Sequence, residues 1–491
     1  MSNFFSTQHM NESLPARAPR ALTALAVALL AGCSLTPDYK RPDAPVATEW
    51  PARPASVVGA GAAVPAPELD WRDFVNDARL RELIRLALDN NRDLRVAALN
   101  IAQTRAQFQI RRADQFPTFN AAVTGARQPD SLGSGAIVSS YTAGLAVPSW
   151  ELDFFGRLGS LKEAALAQYM ATEEARKAVQ ISLIASVAST WLSLQTNEEL
   201  LTLTQSTMTT RQDSLRLIKL RFDNGASSAL DLRLAESLAA AARASLAQQQ
   251  RLRALDVNAL TLLVGQTLPD ALLAPVALPS ATTAAAQATL FKDIPIGLPS
   301  EVLTNRPDIR QAEQLLISAN ASIGAARAAF FPRISLTAST GWASNDLSNL
   351  VKNGTPVFTL GSQALLPIFD AGRNRAGLES ADAGRAIAVA QYEKAIQTAF
   401  REVADALAGQ ATLGEQLLAQ QAQSDAETDR LKLAEMRYRN GVASSLDLLD
   451  AQRSLFAVQQ GLAQTRLAQL QNQVVLYKAL GGGWTEAPAK P

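Results

Sequence analysis

Apolar positions along this chain follow two periods, helical and alternating, and the chain switches between them in the same order twice. From Asp77 to Gln115 the spacing is that of one amphipathic helix. Leu80, Leu83, Ile84, Leu86, Ala87 and Leu88 open it, and Phe116-Pro117 stops it. Strands are predicted at 117–127 and 136–149, joined by the Gly- and Ser-containing residues 128–135. In the second, Tyr141, Ala143, Leu145 and Val147 alternate with Thr142, Gly144 and Ala146. After Gly156 a helical pattern runs to Asn224 without proline. Its roughly 68 residues reach on the order of 100 Å at 1.5 Å per residue. A return helix closes near Gly265.

The second pass matches the first. Asn305-Arg306-Pro307-Asp308 opens a helix that ends at Phe331-Pro332. In the next strand Ile334, Leu336, Ala338 and Trp342 share one face, and Ser335, Thr337, Ser339 and Gly341 share the other. A second strand, 356–367, sets Phe358 and Leu360 against Thr359 and Gly361. Gly372 to Asn440 is again helical, and the return helix runs to Leu480. The chain therefore reads as repeat 1 (76–265), a proline-bearing linker (266–299), repeat 2 (300–480) and a short tail (481–491).

Each long helix ends in the same words. Residues 221–232 read Arg-Phe-Asp-Asn-Gly-Ala-Ser-Ser-Ala-Leu-Asp-Leu, and 437–448 read Arg-Tyr-Arg-Asn-Gly-Val-Ala-Ser-Ser-Leu-Asp-Leu. Asn-Gly supplies the left-handed residue that closes a helix. Ser228 stands three before Asp231, and Ser444 three before Asp447, the spacing of a capping box. Gly225 and Gly441 are thus the tips of two helical hairpins. The helix before each strand pair and the one after each tip together roughly match the long helix between them. Four helical columns of equal height follow, with strands at one end and tips at the other.

The N-terminus adds an address. Arg17 and Arg20 precede the apolar run Ala21 to Leu30, a signal peptide over 1–32 too short to span a bilayer. Leu30-Ala31-Gly32-Cys33 resembles a bacterial lipobox, which makes Cys33 the diacylated first residue of the mature chain. Ser34 follows it, not the aspartate that retains lipoproteins in the inner membrane. Residues 33–75 then read as a Pro- and Ala-rich extended leader.

The strand length is that of a transmembrane β-strand, roughly 9–11 residues when tilted. Four strands cannot close a barrel, because the smallest need about eight. An open sheet in lipid leaves backbone groups unpaired, so a membrane reading requires an oligomer. A dimer gives eight strands and a trimer twelve. A soluble periplasmic hairpin fits each strand singly; the export signal and the small polar alternate residues favour the membrane.

Composition removes other classes. There are 46 Lys+Arg against 45 Asp+Glu with no basic block, which argues against nucleic acid. The one histidine is His9 and the one cysteine Cys33. Without residues 1–32 no disulfide within a monomer, Cys/His zinc site or histidine-based triad is possible. No cofactor, metal or catalytic residue is assigned.

With its wording, this layout resembles the outer-membrane factor family, TolC-like, in its lipoprotein (NodT-type) branch. The resemblance rests on Cys33 with Pro37-Asp38-Tyr39, Arg306-Pro307-Asp308-Ile309 with Ala312-Glu313, and Ala328-Ala329-Phe330-Phe331-Pro332 leading into Ile334-Ser335-Leu336-Thr337. Phe369-Asp370-Ala371-Gly372-Arg373 and Ala399-Phe400-Arg401-Glu402-Val403 add to it. It implies an α+β membrane protein: a homotrimer with a twelve-stranded β-barrel continuous with a twelve-helix periplasmic α-barrel. The implied partners are a periplasmic adaptor and an inner-membrane pump, of RND type, in a tripartite efflux system. Asp447 and Asp450, one turn apart, match acidic residues that ring the narrowed entrance; the first copy keeps Asp231 but has Leu234 at the second position. Tyr438 takes the gate-tyrosine position. The basic partner of some members falls at Ala443, leaving Arg437 and Arg221 as substitutes against the commoner role of helix-end arginines in balancing the dipole. Gly225, Ser228, Gly441 and Ser444 would meet the adaptor.

The expectation is a passive exit duct, not an enzyme. The alternatives are the outer-membrane duct of a type I protein secretion system and, from another class, a periplasmic coiled-coil adaptor, which has one helical hairpin where this chain has two.

Overall fold

The computed structural model of the protein describes residues 34–50, 69–129, 137–275, 290–292, 294, 305–350, 352 and 354–484. In chain order the elements are α1 (Trp71–Phe74), α2 (Ala78–Asn90), α3 (Arg92–Ala113), β1 (Asn120–Pro129), β2 (Ile137–Leu152), α4 (Arg157–Asp223), α5 (Ala229–Val264) and α6 (Asp270–Leu273). Then come α7 (Pro307–Ala328), β3 (Arg333–Ser344), β4 (Thr355–Leu365), α8 (Arg373–Arg439) and α9 (Ser445–Ala479). Both long helices, α4 and α8, have 67 residues.

One expected helix is two. The pattern over 77–115 is broken at Asn91, whose backbone is extended (φ −60°, ψ 132°). The Asn91 amide donates 2.8 Å to Leu263 O in α5, and its carbonyl oxygen accepts from Leu94 N at 2.9 Å, capping α3. Gly265, which ends α5 at φ +75°, makes the approach possible: a Cβ there would lie 2.5 Å from Asn90 O. The break is a tertiary contact, so the local apolar period runs through it unmarked.

The chain forms two compact units that cut across the repeats. One comprises Met1–Arg41, Thr104–Tyr169 and Leu315–Val389; the other comprises Pro42–Gln103, Met170–Gln314 and Ala390–Pro491. The first holds the sheet, antiparallel throughout in the order β1-β2-β3-β4. Pro148, which has no N–H to give a ladder, sits in the irregularity between Val147 and Trp150. The registers put Val123, Ala143, Leu145, Trp342, Phe358 and Leu360 on one face, and Thr124, Thr142, Gly144, Gly341, Thr359 and Gly361 on the other. The apolar face is bare: Val123 is 74%, Phe358 84% and Leu360 75% exposed. Gly144 faces Gly341 so closely that a Cβ on either would strike the other strand's backbone.

In this unit the leader lies on the helices. Thr36 and Ser160 hydroxyls are 2.9 Å apart, Asn320 Nδ2 donates to Pro37 O at 2.7 Å, and a side chain at Gly324 would collide with Thr36.

The second unit holds an aromatic stack and, among its described residues, three buried arginines, Arg211, Arg306 and Arg466. Phe74 stacks on Phe291 (5.0 Å) and on Tyr477 (4.0 Å), and Tyr477 Oη donates 2.6 Å to Leu69 O. Within the expected linker, Asn76 N to Leu290 O and Lys292 N to Phe74 O form a short bridge. Arg306, buried, binds Asp308 through two nitrogens (3.0 and 2.6 Å), Glu402 (2.8 Å) and Ala479 O at the end of α9 (3.0 Å). Burial opposes its charge, yet the Asp308 and Glu402 carboxylates outweigh that and raise its pKa.

Candidate gate at the helical tips

Both tips form by local chemistry. Gly225 (φ +72°) and Gly441 (φ +73°) take the left-handed conformation at the ends of α4 and α8. Ala226 N closes onto Arg221 O at 2.7 Å, and Val442 N onto Arg437 O at 2.9 Å. Two capping boxes then start the return helices. Ser228 Oγ accepts from Asp231 N (3.1 Å) while Asp231 Oδ2 accepts from Ser228 N (3.2 Å). Ser444 and Asp447 repeat this at 3.3 and 3.2 Å.

Two bonds join one tip to the other. Ser445 Oγ donates 2.6 Å to Asp231 Oδ1. Arg221 Nη1 donates 2.7 Å to Tyr438 Oη, its guanidinium carbon 5.3 Å from the ring centre. Beneath them Ile218, Leu232, Ala235 and Leu449 form a buried cluster drawn from α4, α5 and α9. The Ser445 and Ser228 hydroxyls hold the Asp231 carboxyl below the usual carboxylate range, against the opposing pull of burial.

Asp450 is placed differently from Asp447. Arg430 on α8 donates to it at 2.5 Å, and Arg453, one turn on along α9, donates to its other oxygen. The bond from Arg430 is the main reason its carboxyl also titrates below the usual range. Asp447 is exposed and engaged in the capping box with Ser444. Gly225 and Gly441 have no atom within contact of a would-be side chain, so both turns are open to solvent. Cys33 lies outside the described residues.

The sequence pattern brought out Asp231, Tyr438 and Arg221, but not Ser445, the partner of Asp231 across the tips. A signal for Ser445 existed: Ser228 and Ser444 correspond, so Ser445 takes the place of Ala229, a hydroxyl present in one copy alone. Ser445, Arg430 and Arg453 are the residues the pattern did not bring out.

The family model for the outer membrane efflux protein matches residues 83–266 and again 298–482. This chain belongs to the outer membrane efflux protein family. The double match falls on the two repeats. Among its relatives in the family, a toluene efflux pump outer membrane protein, TtgC of Pseudomonas putida, is 47% identical over 474 residues, covering 95% of this chain and 96% of that protein. Outer membrane protein OprJ of Pseudomonas aeruginosa is 46% identical over 475 residues, with coverage of 95% and 96%. Of solved structures, a membrane protein from Pseudomonas aeruginosa superposes with a TM-score of 0.83 at 43% identity, covering 91% of this chain and 100% of the other. The open state of the Neisseria gonorrhoeae MtrE outer membrane channel gives 0.80 at 38% identity, over 92% and 98%. This efflux protein therefore has the α+β fold of the TolC-like channels and is the outer-membrane channel component of a tripartite efflux pump. Its family is one of transport channels.

Proposed function

We propose that the protein works as a homotrimeric, passive exit duct, gated at its periplasmic tips and anchored in the outer membrane through acylated Cys33. Three four-stranded sheets would close a twelve-stranded barrel, turning their bare apolar faces to lipid and their small polar faces to the lumen. An adaptor would meet the tips at Gly225, Ser228, Gly441 and Ser444, and an inner-membrane RND-type pump would deliver the cargo. Relatives named for toluene, solvent and antibiotic efflux support small organic molecules as that cargo.

The observation that carries the gate is the pair of cross-tip bonds, Ser445 to Asp231 and Arg221 to Tyr438. Opening would part the two tips, and adaptor contacts would offset the lost bonds by binding the parted state better. Asp447 and Asp450 would supply the acidic lining of the entrance. Oxidative cross-linking of an Asp447→Cys variant tests this. Efflux should stop while the trimer persists and should return with reductant; full efflux from cross-linked trimers contradicts the gate.

A further inference from the structure

The three buried arginines of the second unit are neutralised unequally. Arg306 has the carboxylates of Asp308 and Glu402, and Arg466 has Glu199, whose oxygens lie 3.1 and 3.2 Å from its Nη1. Arg211 on α4 has no carboxylate partner among the described residues, although it is only 5% exposed. Its one hydrogen bond there runs from Nη1 to Leu238 O of α5, at 3.1 Å. Its guanidinium carbon lies 5.2 Å from the ring centre of Phe456 in α9, and its Nε has no partner. Gln452, one turn before Phe456, donates to Ser214, one turn after Arg211, at 3.4 Å and leaves its own buried oxygen unpartnered. Burial, with no opposing charge, lowers the Arg211 pKa.

These contacts are divided between the two hairpins. Leu238 is on the same hairpin as Arg211, whereas Phe456 and Gln452 are on the other. At 1.5 Å per residue, Arg211 is about 20 Å of helix from Gly225, beneath the bonds that join the tips. Parting the hairpins therefore leaves the bond to Leu238 whole, withdraws the ring and Gln452, and lets water onto the guanidinium. A cation buried without a counter-charge is unfavourable, and a phenyl face offsets only part of that. Hydration removes the penalty, so the charge favours the parted state.

We propose that Arg211 is a built-in counterweight to the gate: an unpaired cation under the closed tips that raises their free energy and keeps the parted state within reach of adaptor binding. This inference rests on the gate reading of the tips and adds its opposing half. The bonds from Ser445 to Asp231 and from Arg221 to Tyr438 favour closure, as does the cluster of Ile218, Leu232, Ala235 and Leu449. Arg211 works against all of them. A partner shifts an equilibrium only by its differential affinity for the two states, so a smaller gap leaves less for the adaptor to supply.

The test uses Arg211→Met, which keeps an unbranched apolar stem and removes the charge, beside Arg211→Lys, which keeps the charge. Both are placed in full-length trimers that also carry Tyr438→Phe and Ser445→Ala, and conductance is read in planar bilayers without adaptor or pump. Arg211→Met should bring the raised conductance of that background down several-fold, toward the parent, and Arg211→Lys should leave it raised. A raised background that Arg211→Met leaves unchanged or raises further overturns the counterweight and spares the gate. A background that never rises above the parent removes the gate reading and the counterweight with it. Hydrogen exchange gives a second readout in the Arg211→Met single variant. Exchange over residues 449–456 should slow several-fold; faster exchange there would mean that Arg211 holds the hairpins together, the opposite role.

Discussion

Ser445 Oγ donates a 2.6 Å hydrogen bond to Asp231 Oδ1, joining residues that open the return helices of the two repeats. Asp231 is at the same time the third residue of its helix and closes its own capping box with Ser228. One carboxylate thus starts a helix and holds the neighbouring hairpin, so the tips share a group that neither can lose alone. Asp231→Ala removes the reach-back half of that box and the Ser445 bond together, which should loosen the starts of α5 and α9. Faster hydrogen exchange at both tips, the second included, is the expected sign; exchange confined to 226–235 would separate the two roles.

The same carboxyl sets a pH dependence. Its folded-state pKa is depressed by the Ser445 and Ser228 hydroxyls, so its contribution is complete above the ordinary aspartate range. It is lost as the pH falls through the depressed folded value. Asp450, held down by Arg430, follows the same sign. Exchange at the tips should therefore be independent of this effect at neutral pH and rise only in acid. A rise on going alkaline instead would contradict the assignment.

Arg306 ties three segments of the second unit together. It is buried, with carboxylates of Asp308 and Glu402 and the last carbonyl of α9 depending on it. Arg306→Ala should destabilise by about 1.5–3 kcal/mol, the scale of charge-assisted hydrogen bonds, since Asp308 and Glu402 keep access to water. Arg306→Lys should rescue little, since an ammonium cannot replace the two-nitrogen contact with Asp308. Thermal unfolding of the two variants, read side by side, checks this.

What the chain's pattern made legible is what is locally determined. Asn224-Gly225 and Asn440-Gly441 name their own turns, Ser228 and Ser444 their caps, and strict alternation names both strand pairs. The break at Asn91 was hidden because its amide answers to Leu263, 172 residues away. The same holds for Arg306 with Glu402 and for Arg430 with Asp450: each residue stood in a motif or on a helix face, but pairing is set by how helices meet. Asp450 shows the consequence. Spacing put it one turn from Asp447, but packing brings Arg430 of α8 onto it, and Arg453, one turn on in α9, takes its other oxygen.

The two acids at the start of α9 differ in a measurable way. Asp447→Asn should lower the cation preference of the channel, since an acidic ring in a pore selects cations. Asp450→Asn should also loosen α8 from α9 slightly, as for an exposed ion pair, with an effect that shrinks in high salt. Reversal potentials in a salt gradient read the selectivity of both variants, and hydrogen exchange along α8 and α9 at low and high salt reads the loosening. Equal selectivity in both and in the parent would remove the acidic entrance.

The direct measurement is single-channel conductance of a Tyr438→Phe, Ser445→Ala variant in planar bilayers, without adaptor or pump. These changes delete the acceptor for Arg221 and the donor to Asp231 while leaving both capping boxes whole. If the cross-tip bonds hold the gate, conductance rises several-fold over the parent. If it stays at the parent level in intact trimers, the bonds are not the gate.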